Sequence, residues 1–546
     1  MKHLSGMDNL FLAMDKGNQH LHVASLGVYD PSTAPAGKVR FKAILSHFSS
    51  RLNVSKVFRR RLVAARYGLD RPYWVDDAEI DIEYHVRHIA LPHPGDWRQL
   101  MIQVARLHSR PLDMTKPLWE AYIIEGLDNI PGIPSGSFAM YMKMHHSAID
   151  GEAGAAMLTA IHALTPEPDV ESQDEARTMI ADRDPTPVEL YARALANRAQ
   201  QVFDASKLVA KIGSRVADAG RQMIVSGRAL ELGKELVAHG GKLAPREPNP
   251  DTPGRKPQTR FDAPISANRV VDAVGFSMTD CQKIRQHVEK TTINDIFMAA
   301  TSGAVRKYLE AKGELPDKGL NAMVPMTIRG EHKGGDEGNQ IGMTVMPLRS
   351  DIADPLERLN AVKRGSGKNK AMNAAIGKDL PAQLIQVLPA GITELLLTKG
   401  MMALANMTVS NVRGPDVPLY MAGAQLVLFL PVSAISNDMG LNVTAFSYNG
   451  TLWVCFISCR KMMPDPSFFA QCLNESFDEL VRAAIAVGVQ GAATNRVSRI
   501  PAPKAKTPAA KKPAVVVNAR HSKVIAKPQV KKKPTTTKAK KPVTKQ

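Results

Sequence analysis

Ser137 to Gly151 reads SFAMYMKMHHSAIDG, and its two halves follow different periods. From Phe138 to Met144 the spacing is that of a strand, with Phe138, Met140, Met142 and Met144 on one side. Beyond Gly151 the apolar positions are Ala153, Met157, Ile161 and Leu164, whose steps of four, four and three gather on one side of a helix. HHSAIDG therefore spans a strand-to-helix junction, where a rigid scaffold presents a loop. Neighbouring residues at a strand end project to opposite faces, so His145 and His146 are expected in different surroundings.

That stretch supports more than one chemistry. A histidine followed by a nearby carboxylate suits a general base whose ring or loop the acid holds in place. Asp150 reads equally as the N-cap of the following helix, its side-chain oxygen accepting backbone N–H bonds. A metal centre is not expected, because two histidines on opposite faces do not chelate one ion and no third ligand is spaced nearby.

Outward from the junction, the chain divides by composition. Its 546 residues, 44% of them hydrophobic, are enough for several globular domains with substantial cores. Residues 1–175 mix strand-like runs such as HLHVASLGVY and EAYIIEGL with helical patterns, giving one α/β unit that carries the motif. Residues 176–262 are helical, rich in charges of both signs and closed by REPNPDTPGRKP, which reads as a crossover between domains or as a basic amphipathic surface for a membrane. Residues 263–490 form a second α/β unit, with a helix expected through Asp280 to Lys312. Its strands are expected at LNAMVPMTI, IGMTVMPL, NMTVSNV, AQLVLFLPV, LNVTAFSY and LWVCFIS. Two such units create a cleft at their interface.

The net charge of +19 belongs mostly to the end of the chain, since residues 491–546 hold 16 Lys and Arg and no acid, leaving +3 for the rest. Lys, Pro, Ala and Thr cannot build a core, so this tail is expected to be disordered. It is either a solvated tail or a cationic contact for anionic phospholipid or nucleic acid, without the aromatics that stack on bases. Cys281, Cys455, Cys459 and Cys472 form no metal or disulfide pattern, which fits core residues in a reducing, cytoplasmic compartment. The N-terminus lacks the apolar run and cleavage site of a secretory signal, so none is expected. Leu419 to Ser436 is uncharged, but Gly423, Gln425 and Pro431 interrupt it and it reads as buried strands rather than a membrane span.

With these residues in view, the chain over 1 to about 485 resembles the bacterial wax ester synthase/diacylglycerol acyltransferases, within the CoA-dependent acyltransferase superfamily. HHSAIDG matches HHxxxDG, Pro117-Leu118-Trp119 matches the PLW element, Asn294-Asp295 matches ND, and Ser410 to Pro415 looks like the SNVRGP loop. The opening MDNLFLAMDKGNQHLHV is similar as well. The resemblance implies an α/β fold of two chloramphenicol-acetyltransferase-like mixed-sheet domains joined by a helical crossover. It also implies transfer of a long-chain acyl group from acyl-CoA to diacylglycerol or a fatty alcohol, with no cofactor beyond that co-substrate and a peripheral place on the inner membrane or lipid inclusions.

In that frame His146 is the general base, Asp150 a structural acid tied to Arg329 by analogy, and His145 and Gly151 shape the turn. Pro117 and Trp119 are a rigid corner with an apolar anchor. Asn294 and Asp295 either cap a helix or support the active centre. Asn294, Ser410 and Asn411 are candidate oxyanion donors and Arg413 a candidate CoA-phosphate contact. Met140, Met142 and Met144 are expected to pack beneath the strand. Condensation domains that use carrier-bound thioesters share HHxxxDG, and a non-catalytic lipid-inclusion or nucleic-acid-binding protein is the alternative outside enzymology.

Overall fold

The computed structural model describes residues 1–65, 68–149, 154, 158, 161–167, 183–225, 249–327, 341–376, 385–386 and 388–497. The expectations for Asp150, Gly151, Arg329 and the tail from residue 498 onward lie outside the described residues. The chain divides into two compact units, Met1–Ala492 and Ala493–Gln546, and the architecture below is that of the first.

Its N-terminal half begins with β1 (Lys2–His3), α1 (Gly6–Met14), β2 (His22–Asp30) and α2 (Phe41–Arg51). There follow β3 (Arg60–Val63), β4 (Tyr73–Asp76), α3 (Ile82–His85), β5 (Val86–Ala90), α4 (Trp97–His108), β6 (Trp119–Glu125) and β7 (Phe138–His145). A 39-residue helix, α5 (Pro187–Val225), lies in the crossover region. The C-terminal half contains β8 (Arg269–Ser277), α6 (Met278–His287), α7 (Ile293–Ala311), β9 (Asn321–Thr327), β10 (Ile341–Pro347), α8 (Pro355–Ile376) and α9 (Ala390–Leu396). It ends with β11 (Met407–Arg413), β12 (Tyr420–Met421), β13 (Ala424–Val432), β14 (Leu441–Tyr448), β15 (Thr451–Cys459) and α10 (Pro466–Val497).

Two mixed six-stranded sheets result, ordered β12-β13-β2-β7-β6-β5 and β10-β9-β11-β14-β15-β8. The first is not built from the N-terminal half alone: β13 pairs antiparallel with β2, setting Pro431 opposite Ser25 and Val432 opposite Ala24. A hairpin from the second half thus completes the sheet of the first. One apolar core also joins the halves, since Leu26, Leu100 and Tyr141 cluster with Val270, Phe297 and Leu441. Across the same boundary the Trp97 indole N–H donates to Asp272 at 2.8 Å.

β7 shows why this sequence makes a central strand. All eight of its residues are buried. Phe138, Met140, Met142 and Met144 fall in one apolar cluster, while Ala139 and Tyr141 fall in another on the opposite side. On that second side Lys143 is polar and wholly buried; its Nζ donates to the carbonyls of Leu107 at 3.2 Å and Arg110 at 2.9 Å and lies 3.6 Å from Glu120. Burial pulls this lysine down to about 8, with the Glu120 charge opposing the shift.

The six strands expected in the second half are all present, and Leu419 to Ser436 supplies β12 and β13 as buried strands. All four cysteines are buried and free. Other expectations need correction. The single helix expected from Asp280 to Lys312 is two helices, because Lys290 takes a left-handed φ of 54° and Thr292 starts α7 with a capping box to Asp295. Leu164 does not share the buried helical face of Ile161: it lies in a bend and is 67% exposed. Gly491 to Val497 continue α10 as helix rather than opening a disordered tail.

Candidate active site

The junction is held at its backbone by two other segments and by its own turn. The His145 N–H donates to the Leu118 carbonyl at 3.0 Å, the His146 N–H to the Leu21 carbonyl at 2.8 Å, and the Ala148 N–H to the His145 carbonyl at 2.9 Å. Pro117-Leu118-Trp119 therefore sits directly against the histidines. Trp119 is fully buried, its indole N–H donates to the Phe58 carbonyl at 3.0 Å, and its ring stacks on His85 with centroids 4.5 Å apart. Loss of such an anchor costs about 3–5 kcal/mol.

The two histidines face apart, as strand parity requires. His145 is wholly buried. Its Nδ1 accepts from the Ser147 N–H at 3.1 Å and lies 2.7 Å from the Ser147 hydroxyl, so the ring proton sits on Nε2, which donates to Asp15 Oδ2 at 3.2 Å. Asp15 is the C-cap residue of α1 and also takes bonds from the Leu21 N–H at 3.1 Å and from His20 at 3.2 Å. Burial by itself would raise this carboxyl; the bonds from His145, His20 and Leu21 outweigh it and hold Asp15 well below the usual carboxylate range.

Beside this pair, burial first and the Lys143 charge second push His22 and His108 well below the ordinary histidine value, so both are neutral at pH 7. Asp15, His20 and His22 present donor atoms all within 4.8 Å of one another and are the described residues able to hold a metal ion. Their carboxylate is already engaged by three hydrogen bonds.

His146 points the other way. Its ring stacks on Phe11 with centroids 4.1 Å apart and reaches a cavity of about 520 Å³ walled by both halves of the fold. Met142 and Met144 line this cavity, so they do not simply pack beneath the strand. Met323, Met343, Met402 and Met439 add to its wall from the second half. Such unbranched, polarizable side chains suit an adaptable apolar channel.

Polar groups enter the wall from β11 and β14. Ser410 and Asn411 both line the cavity, as do Asn442 and Thr444, which sequence reasoning had not singled out. The parallel pairing of β11 with β14 sets Ser410 beside Thr444, whose hydroxyl donates to Asn442 Oδ1 at 2.8 Å. Arg413 lines the rim, exposed, 3.3 Å from Asp416. Gly414 follows because a Cβ there would sit 2.1 Å from the Phe446 ring and 2.3 Å from the Ser447 carbonyl oxygen.

Asn294 and Asp295 lie in the first turn of α7 and do not line the cavity; Asp295 closes the capping box, and the Asn294 amide lies 3.5 Å from Met298 Sδ. A second cleft of about 490 Å³ is polar, with Lys16, Arg255, Lys256, Glu394 and Lys399 in its wall, and it shares Met14 and Met402 with the apolar cavity. Among the residues missed from sequence, Asp15 and Phe11 were within reach, since both fall in the opening segment MDNLFLAMDKGNQHLHV.

The wax ester synthase/diacylglycerol acyltransferase catalytic domain matches residues 4–297, more than half of the chain. The chain belongs to this family. The family's C-terminal domain matches residues 337–481. A Mycobacterium tuberculosis (strain CDC 1551) protein named as a diacylglycerol O-acyltransferase is 31% identical over 499 residues, covering 89% of this chain and 91% of its own. Another from Mycobacterium tuberculosis (strain H37Rv), similarly named, is 31% identical over 490 residues, covering 89% of this chain and all of its own.

Among solved structures, the wax ester synthase/diacylglycerol acyltransferase from Marinobacter aquaeolei VT8 superposes with a TM-score of 0.61 at 25% identity, covering 88% of this chain and 100% of that one. The first condensation domain of the calcium-dependent antibiotic synthetase shares the fold at a TM-score of 0.50 and 14% identity, over 88% of this chain and 96% of that one. The two mixed sheets are thus the family's architecture.

Proposed function

We propose that the protein is an O-acyltransferase that moves a long-chain acyl group from acyl-CoA to diacylglycerol or a fatty alcohol, giving triacylglycerol or wax ester, with His146 as the general base. One observation carries the reading: the His146 imidazole is presented to an apolar cavity shared by both halves of the fold. Its volume, about 520 Å³, lies within the range of ligand sites, about 300–1,000 Å³.

An alcohol is too weak an acid to attack a thioester at neutral pH, so the base takes its proton as the C–O bond forms. The thioester carbonyl becomes a tetrahedral oxyanion, for which Ser410 and Asn411 are polar candidates in the cavity wall. The intermediate collapses with loss of the CoA thiolate, which takes the proton from the imidazolium. No acyl-enzyme is needed, since both substrates meet at one histidine. Arg413 at the rim is assigned to a donor phosphate. Asp150 and Arg329 keep the structural role that the family resemblance gives them.

No described helix is long and apolar enough to cross a membrane. The lipid acceptors and products partition into bilayers and inclusions, so peripheral association with such a surface belongs to the same reading.

The deciding experiment offers palmitoyl-CoA with hexadecanol and dioleoylglycerol together, and reads thiol release and both esters. The wild-type product ratio fixes the acceptor class. Absence of thiol release with either acceptor overturns the enzyme reading, and ester formation that persists in His146→Ala removes His146 as base.

A further inference from the structure

α5 has two apolar faces where an ordinary surface helix has one. Leu190, Ala194 and Leu208 are buried and seat the helix on the protein. About a third of a turn further round the helix, Val188, Leu195, Val202 and Val209 are 78%, 55%, 72% and 69% exposed. Their spacing is seven residues throughout, which on an α-helix returns to within about 20° of the same direction at each step, so the four form one outward line. Tyr191 and Phe203, also exposed, flank it.

A coiled-coil seam would need apolar residues three positions after each of these. Those positions hold Tyr191, Arg198, Ala205 and Ile212, so the second row of a seam is broken at Arg198, which turns instead to the Leu69 carbonyl. The exposed charges along this part of the helix are mainly basic: Arg193, Arg198, Lys207 and Lys211. Lys207 Nζ lies 4.2 Å over the Phe203 ring, the posture of a cation that keeps its stem on apolar surface. An apolar line on a helix whose exposed polar face is mainly cationic complements an interface of acyl chains and anionic headgroups.

A second exposed apolar patch stands on α9, where Ile392, Leu395 and Leu396 are 49%, 57% and 58% exposed. The two patches share an anchor. Asn197 of α5 bonds Asp70 and Tyr73, both at 2.7 Å, and Arg198 bonds the Leu69 carbonyl at 2.9 Å. From the same loop Arg71 donates to the carbonyl of Gln386, just ahead of α9. The chain around α9 also divides three environments: Leu395 and Leu396 face outward, Leu397 lines the His146 cavity, and Glu394 and Lys399 line the polar cleft.

We propose that the outward stripe of α5 and the exposed side chains of α9 form the face by which the protein docks on a phospholipid bilayer with anionic headgroups, and that α9 links this face to the His146 cavity. The proposal rests on the acyltransferase reading only for what passes across the face, a diacylglycerol or fatty alcohol; docking itself needs no turnover.

The test is sedimentation of the full chain with extruded vesicles of three parts phosphatidylcholine to one part phosphatidylglycerol. High salt screens purely ionic binding by the basic C-terminus. Wild type is expected to sediment with vesicles under these conditions. The pairs Leu195→Glu with Val202→Glu, and Leu395→Glu with Leu396→Glu, are each expected to lower the bound fraction at least tenfold. Turnover of a soluble short-chain acceptor should stay within twofold, and Val54→Glu, an exposed apolar position outside both patches, should bind like wild type. Undiminished binding by both pairs, or no binding by wild type, overturns the proposal. So does a wild-type dimer in light scattering that the pairs dissociate without changing vesicle binding, since the stripe is then a contact between copies. A failed function reading looks different: no thiol is released with any acceptor, whatever the vesicles show.

Discussion

Asp15 Oδ2 accepts a hydrogen bond from His145 Nε2 at 3.2 Å, joining the end of α1 to the end of β7 across 130 residues of sequence. Both nitrogens of His145 are thereby committed, one to Asp15 and one to Ser147. The ring braces the turn that presents His146. Asp15→Ala is expected to lower kcat while leaving KM for acyl-CoA nearly unchanged, and to cost about 1–3 kcal/mol by stranding a buried donor. Steady-state kinetics beside urea unfolding checks both; unchanged kcat with full stability would refute the bracing role.

The depressed Asp15 carboxyl sets a sign for pH dependence. Its folded value lies below the unfolded one, so its stabilising contribution is complete above about pH 4 and is lost as pH falls toward the folded value. The stability gap between wild type and Asp15→Ala should therefore be constant from pH 7 to about 5 and narrow below about 4, as read by urea midpoints.

His146→Ala and His145→Ala should separate chemistry from support. Loss of a general base costs about 10²–10⁴ in rate, and His146→Ala should show this with little change in melting temperature. His145→Ala should lose both activity and stability, because it leaves the Asp15 carboxylate without one of its donors. Equal melting temperatures for the two variants would contradict the division of labour.

Lys143 carries a second pH signature. With its folded value near 8 and its unfolded value near 10.5, the unfolded chain binds more protons between the two, and stability rises with pH across that window. Lys143→Met should abolish that rise, so wild type gains on the variant between pH 8 and 10.5. Lys143→Ala at pH 7 should destabilise by less than the ~3–5 kcal/mol of a fully unpaired buried charge, because Glu120 keeps Arg87 at 3.5 Å and the Tyr122 hydroxyl at 2.9 Å. A flat difference in unfolding free energy over the window would count against the burial of Lys143 that depresses it.

Met144 lies on the cavity wall two residues before His146. Met144→Trp is expected to fill the channel and shift donor preference from palmitoyl-CoA toward shorter acyl chains, by about tenfold or more in relative kcat/KM. Unaltered chain-length preference would remove Met144 from the acyl path.

Much of this site was readable along the chain because it depends on neighbours. Alternation in FAMYMKMH fixes which side each residue of β7 takes, and it separates His145 from His146 before any fold is known. The β-branched runs of the second half became strands where expected. The break between α6 and α7 was also legible, since Thr292 and Asp295 have the spacing of a capping box, but the helical patterns on either side of it read as one. Asp15 was not legible as the partner of His145, because a carboxylate at the end of a helix gives no local sign of what it faces. Nor was the insertion of β13 beside β2, since AQLVLFLPV has the same pattern whichever sheet it joins.

The sequence by itself determined the strand, the turn, the opposite aim of the two histidines and, through HHSAIDG, PLW and SNVRGP, the family. Each of these is set by residues within a few positions of one another, where backbone period and sterics act. Only the tertiary structure decided that Asp15 serves His145, that Met142 and Met144 wall a cavity, and that one hairpin closes the sheet of the other half. Those facts depend on strand pairings such as His22 beside His145 and Ser25 beside Pro431. Pairing is fixed by burial of the whole core at once, and no local pattern encodes it.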